Sequence, residues 1–296
     1  DAPGLYRRLS TLRATDIFDY RAWFCLHAVN SPRQLFEVLS QFWENHFVTQ
    51  WSKSRDYFIN NGFGYDDTTA GRLAMDWEFR EMTQWRNAML NPNCTFYDLL
   101  KIHAESPAEI VYLDSVASKG SGNNIANQNY GRELLELFTM GVDNGYDQND
   151  IILLSRAWTG WSVELVDTVN ADNPFALPSF TLFSGTNSTV KANTIGTWAF
   201  NYKSGNHGTN RGAIFGGKTV PARFGPPWTT KTYSTNVPIA GRYDLVIPAR
   251  VTGTTNSIQD GYDVINHLAN LPFTEEFISV KLCRLFVHDD FPRSEE

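Results

Sequence analysis

The run from Asn129 to Trp161, NYGRELLELFTMGVDNGYDQNDIILLSRAWTGW, constrains the fold more than any other part of the chain. At about 100° per residue, Tyr130, Leu134, Leu135, Leu137 and Phe138 share one broad helical face. Arg132, Glu133, Glu136 and Thr139 take the other side, and Arg132 and Glu136, four apart, can pair across one turn. Gly141 follows the last patterned residue, where a positive φ costs a glycine little. Asp147, with Asp150 three residues on, reads as the N-cap of a second helix. That helix carries Ile151, Ile152, Leu153, Leu154 and Trp158, apolar nearly all round, as buried helices are. Gly160 ends it. Two such helices need further helices to cover them, so the run predicts a mainly α protein.

The rest of the chain agrees up to Trp161. Helical spacing predicts helices near 21–29, after a Ser31-Pro32 cap, over 68–90, over 96–104 and from Pro107 to Leu113. From about Ser162 the chain turns to Thr, Gly, Asn, Pro and short alternating runs such as Ser179–Phe183 and Tyr243–Ile247, the pattern of strands and turns. Helical spacing returns at Asp260 and again after Thr274, read as a cap. The expectation is a helical, bundle-like domain over 1–161, a β-rich insertion between about 162 and 253, and helices over 254–296 returning to the helical domain. The helices that contain Trp43, Leu134 and Leu282 are expected to share one core.

Composition narrows the function. The 296 residues carry a net charge of -7 without a basic block, which disfavours a nucleic-acid partner. No apolar run approaches the ~18 residues of a membrane span. Cys25, Cys94 and Cys283 are an odd, scattered set allowing at most one internal bridge, and Cys25 and Cys283 read as small buried hydrophobes.

Five segments together resemble one bacterial family, domain-of-unknown-function family 1800. They are FWENHF at 42–47, NYGRELLELFTMGV at 129–142, GYDQNDIILLSRAWTGW at 145–161, PFTEEFISVKLCRLFV at 272–287, and a looser match from Asn201 to Thr219 around His207 and Gly216-Gly217-Lys218. The resemblance implies a mainly helical, often exported bacterial protein with no established reaction. It is often encoded beside a second exported, sulfatase-like family. It also implies a chain that continues past this C-terminal end. This sequence departs from the family pattern at Glu44 and Phe138, where many relatives carry His, and at Gly208, where His-Asp is common.

Candidate chemistry follows from the polar residues. Glu44, His46, Glu133 and Glu136, with Arg132 beside them, could form a divalent metal or acid/base site, since facing helices that supply carboxylate and imidazole build bundle metal centres. The bland reading makes them capping and paired surface groups. His207 is a further catalytic candidate. Asp143, Asn144, Asp147 and Asp150 offer calcium-type oxygens, although their spacing is not that of an EF-hand and capping by Asp147 explains them equally. Trp158, Trp161, Trp198, Trp228, Tyr202 and Tyr233 could line a carbohydrate groove or simply fill cores. No Gly-x-Ser-x-Gly elbow or Walker spacing occurs.

Three functions are consistent with this pattern. The first is a structural or binding component of the envelope or extracellular matrix. The second is a metal-assisted hydrolase of polysaccharide or its esters. The third is a partner or chaperone of the sulfatase-like protein. Scarce Lys with abundant Asn, Thr and aromatics, together with the family, predicts periplasmic or extracellular residence.

Overall fold

A computed structural model describes residues 17–166, 197–208, 212–248 and 255–291. Its helices are α1 (Ile17–Asn30), α2 (Gln34–His46), α3 (Trp51–Asn60), α4 (Asp67–Met89), α5 (Phe96–Ala104), α6 (Pro107–Tyr112), α7 (Asn129–Glu133), α8 (Gln148–Ser155), α9 (Gln259–Ala269) and α10 (Pro272–Phe286). The strands are short: β1 (Trp161–Val166) pairs with β2 (Thr197–Tyr202), and β3 (Ala213–Ile214) with β4 (Leu245–Val246). The protein is mainly α, with a small strand-containing region in the middle of the chain. The β3–β4 pair is antiparallel, with Ala213 opposite Val246 and Ile214 opposite Leu245. The Ser179–Phe183 run lies outside the described residues.

The chain divides into two compact units, one comprising 1–113 and 162–201, the other 114–161 and 202–296. Local packing shows what holds each unit together. In the first unit the 23-residue α4 is the spine, flanked by α2, α3, α5 and α6. Trp198 of β2 is buried there: Trp77 Nε1 and Arg80 Nη2 each donate to the Trp198 carbonyl at 3.0 Å. The Trp198 ring packs 5.5 Å from Phe58 and 4.6 Å from Phe63. Among the described residues, 162–166 and 197–201 thus group with the first helical unit. A second aromatic layer in this unit joins Trp43, Phe47, Trp85 and Phe96.

In the second unit α7 and α8 approach closely at Gly131, where a Cβ would lie 2.5 Å from Ser155 Oγ. Tyr130, Trp158 and Trp161 stack at centroid spacings of 4.8 and 5.3 Å. Gly261 of α9 lies against Trp161, leaving 2.6 Å to an added Cβ. The helical run after α7 is not one α-helix, since Leu134–Phe138 form a π-helical turn. Gly141 has φ +90°, and Asp147 and Asp150 form a reciprocal capping box, both as expected.

Several expectations need correcting. Trp43 lies in the first unit, whereas Leu134 and Leu282 belong to the second, so the single expected core is divided. Ser31 does not cap α2, which starts after Arg33; its Oγ accepts from Arg33 N–H instead. Thr274 is buried inside α10, whose first residue is Pro272. Cys25 is exposed and Cys283 half-buried, and all three thiols are free.

Candidate functional site

Helix α4 places Glu78 and Glu81 one turn apart among Trp77, Met82 and Trp85. Glu81 is buried, and its Oε2 accepts from Ser106 Oγ at 2.6 Å. Its Oε1 lies 3.1 Å from His103 Nδ1, and His103 Nε2 lies 3.4 Å from Glu109 Oε1. Both ring nitrogens thus face carboxylate oxygen. Burial alone would lower the His103 pKa, but Glu109 and Glu81 outweigh it and push it up to about 9. The imidazolium is packed 4.6 Å from the Phe47 ring.

Two further carboxyls extend the cluster. Glu44 Oε1 accepts from Tyr20 OH, and Glu78 Oε2 accepts from Thr49 Oγ1 at 2.6 Å. Burial and the neighbouring glutamates push Glu44 up to about 7 and Glu78 up to about 8. Glu44 Oε2 and Glu78 Oε1 are shielded from water and accept no hydrogen bond. Such oxygens are tolerable when the carboxyl carries its own proton. The chemistry available is therefore proton retention near neutral pH. Among the described residues, no group of three or more His, Cys, Asp or Glu side chains is arranged to hold a metal ion.

The residues singled out from sequence fall into separate local settings. Glu44 and His46 belong to the first unit, and Arg132, Glu133 and Glu136 to the second. His46 is buried between Phe42, Trp43 and Phe47, with ring centroids 6.1, 5.6 and 4.7 Å away. Arg132 pairs with Glu136 at 3.3 Å, the expected one-turn spacing, and donates to Gln148 Oε1 at 2.9 Å. His207 is buried, with Nε2 3.0 Å from Asp260 Oδ2 and Nδ1 3.0 Å from the Thr159 carbonyl. It links the end of the Trp-Thr-Gly-Trp segment to the start of α9.

The calcium reading is corrected by a lysine. Lys218 Nζ sits 2.6 Å from Asp147 Oδ2 and 2.9 Å from Asp150 Oδ2, so an ammonium supplies the positive charge there. Asp150 also accepts from Phe215 N–H at 2.6 Å, and Asn144 accepts from Arg223. The aromatic groove is corrected too. Trp158, Trp161 and Trp198 are fully buried, Tyr202 OH bonds to Ser257 Oγ, and Trp228 is half-buried. Of that set, Tyr233 lines a cleft.

This cleft, in the second unit, has a volume of about 550 Å³. One wall is α9. Asp263, Asn266, His267 and Asn270, at positions i, i+3, i+4 and i+7, face it, while Val264, Ile265 and Leu268 are buried. The other wall is 231–235, held by Tyr233 N–H and Ser234 N–H donating to the Arg242 carbonyl and by Thr235 N–H donating to the Asp244 carbonyl. Lys231 Nζ lies 4.8 Å from the Tyr233 ring centre. The Tyr233 hydroxyl is shielded and makes no hydrogen bond. His267 Nε2 lies 2.8 Å from the Tyr243 carbonyl and so carries the proton donated to it, leaving Nδ1 as an acceptor. Burial lowers His267 to about 4 and keeps the ring neutral at pH 7. Sequence reading missed this wall because the spaced polar residues of α9 look like any solvated helix face.

A family model described as "Protein of unknown function (DUF1800)" matches residues 7–295, essentially the whole chain. The chain belongs to this family. No curated protein matches it, and no solved structure does. Family membership leaves the chemistry to be argued from the geometry. No helix among the described residues is long and apolar enough to cross a membrane.

Proposed function

We propose that this protein is a saccharide-binding component of the bacterial envelope or extracellular matrix. The cleft between α9 and 231–235 carries this reading. Its volume falls in the usual range for small-ligand sites. Its walls offer carboxylate, amide, ammonium and hydroxyl groups, which pair with sugar hydroxyls, beside a tyrosine ring that can pack on a sugar face. Neutral His267 adds an acceptor on the α9 wall. Titration calorimetry with a panel of neutral oligosaccharides tests it. The expected outcome is binding that weakens about tenfold or more in Tyr233→Ala and Asp263→Ala, the loss of one well-made contact. Binding unchanged in both variants, or no binding at millimolar concentrations, overturns the proposal. The envelope location rests on composition and family resemblance, and fractionation of the native cells checks it.

A further inference from the structure

A second cavity of about 310 Å³ lies in the second unit between the 118–128 loop and α8 with its extension. Gly120, Gly122, Asn124, Gln128, Ile152 and Arg156 are among its lining residues. Arg156 is half-buried; its carbonyl accepts from Thr159, but among the described residues its guanidinium makes no hydrogen bond or ion pair. An arginine whose guanidinium is unpaired beside a cavity can receive an anion, since its planar fork matches an oxyanion.

The surroundings are donors held in place. Gln148 Nε2 donates to Gln128 Oε1 at 2.8 Å, and Gln148 Oε1 in turn accepts from Arg132. The Gln128 carbonyl is thereby occupied, which leaves its NH₂ group as the free end. The loop is rigidly placed. Gly120 N–H donates to the Asn206 carbonyl at 2.9 Å, and Asn127 N–H donates to Ser118 Oγ at 3.1 Å. Gly120 meets Gly208 backbone to backbone, so that a Cβ on Gly120 would lie 2.7 Å from Gly208 Cα. Ile125, Ala126 and Ile152 supply an apolar side.

The geometry points to a binding site for a small organic acid whose carboxylate is held by Arg156 and Gln128 and whose body rests on the isoleucine side. A uronic acid, free or at the end of an acidic saccharide, has this chemistry. The site is separate from the α9 cleft and stands or falls without it.

The test is titration of the purified chain with glucuronate and galacturonate, with glucose, galactose, inorganic sulfate and phosphate as comparisons. The uronates should bind, and the neutral hexoses should not compete at this site. Arg156→Gln should weaken uronate binding about tenfold or more while the unfolding temperature stays near wild type, because the Arg156 guanidinium has no internal partner to lose. Arg156→Lys should fall between, keeping the charge without the fork. Gln148→Leu should weaken binding by releasing Gln128. Tyr233→Ala should leave uronate binding unchanged, which separates this site from the cleft. Uronate binding that is absent, or equal in wild type and Arg156→Gln, overturns the inference. Sulfate or phosphate binding more tightly than either uronate overturns the carboxylate assignment.

Discussion

Position 208 shows how one side chain is set by another far off in sequence. Gly208 N–H donates to Thr159 Oγ1 at 2.7 Å, and its α-carbon abuts Gly120, where a Cβ would lie 2.8 Å from both Cα and O. Backbone cannot give way as a flexible side chain does. Gly208→Ala should therefore destabilise the protein by about 1–3 kcal/mol, the usual cost of overpacking a tight contact, readable as a lower denaturation midpoint. Gly208→Asp should cost at least as much. A melting profile unchanged by Gly208→Ala would refute the close contact. Glu44 likewise meets a distant partner: it accepts from the Tyr20 hydroxyl and joins the buried carboxyl cluster. Neither partner was legible from the sequence, because a departure from a pattern shows which side chain changed and not what it touches.

Elements were legible where the signal was local. The helix 96–104 and the Asp147 cap follow from neighbouring residues, and both stand as read. Helix α3 was missed because WSKSRDYFIN interleaves polar and aromatic residues without a clean stripe. The π-helical turn at Leu134–Phe138 leaves the apolar face intact and so escapes a reading by periodicity. The carboxyl cluster was invisible for another reason: Glu44, Glu78, Glu81, His103 and Glu109 come from four helices, and a buried glutamate is written with the same letter as a solvated one. The hint was Glu78 and Glu81 set in an aromatic stretch. At α8 the capping and the lysine pairing can be told apart. Asp147→Ala should cost about 1 kcal/mol, the worth of an N-cap. Lys218→Met should cost more, because Asp150 is buried and loses its cation. Denaturant midpoints of the two variants compare these costs, and an Asp147→Ala effect larger than that of Lys218→Met would contradict this assignment.

At the scale of the whole molecule the same cluster predicts how stability varies with pH. Glu44, Glu78 and His103 all have folded pKa values above their ordinary ones, at about 7, 8 and 9. For each, the folded chain holds a proton that the unfolded chain has already released. Each contribution is fully present below the ordinary value and is lost as pH rises through the folded value. The windows are therefore 4.5 to about 7 for Glu44, 4.5 to about 8 for Glu78 and 6.5 to about 9 for His103. Within its window each group tilts stability downward by up to about 1.4 kcal/mol per pH unit. His267 works the other way: its value is lowered to about 4, so its contribution is present above 6.5 and is lost as pH falls. Above pH 6.5, where His267 no longer contributes a slope, these three groups should make stability fall with pH; Lys281, lowered to about 8 by burial, opposes that fall only above about pH 8. Glu78→Gln isolates one term, because the amide keeps the shape and cannot ionise. Denaturant unfolding at pH 5 and pH 8.5 should show a smaller alkaline loss in Glu78→Gln than in wild type. The variant should be close to wild type at pH 5 and more stable than it at pH 8.5. An equal alkaline loss in both proteins would mean that Glu78 is ionised in the folded state at neutral pH. The cluster would then need a positive partner beyond His103.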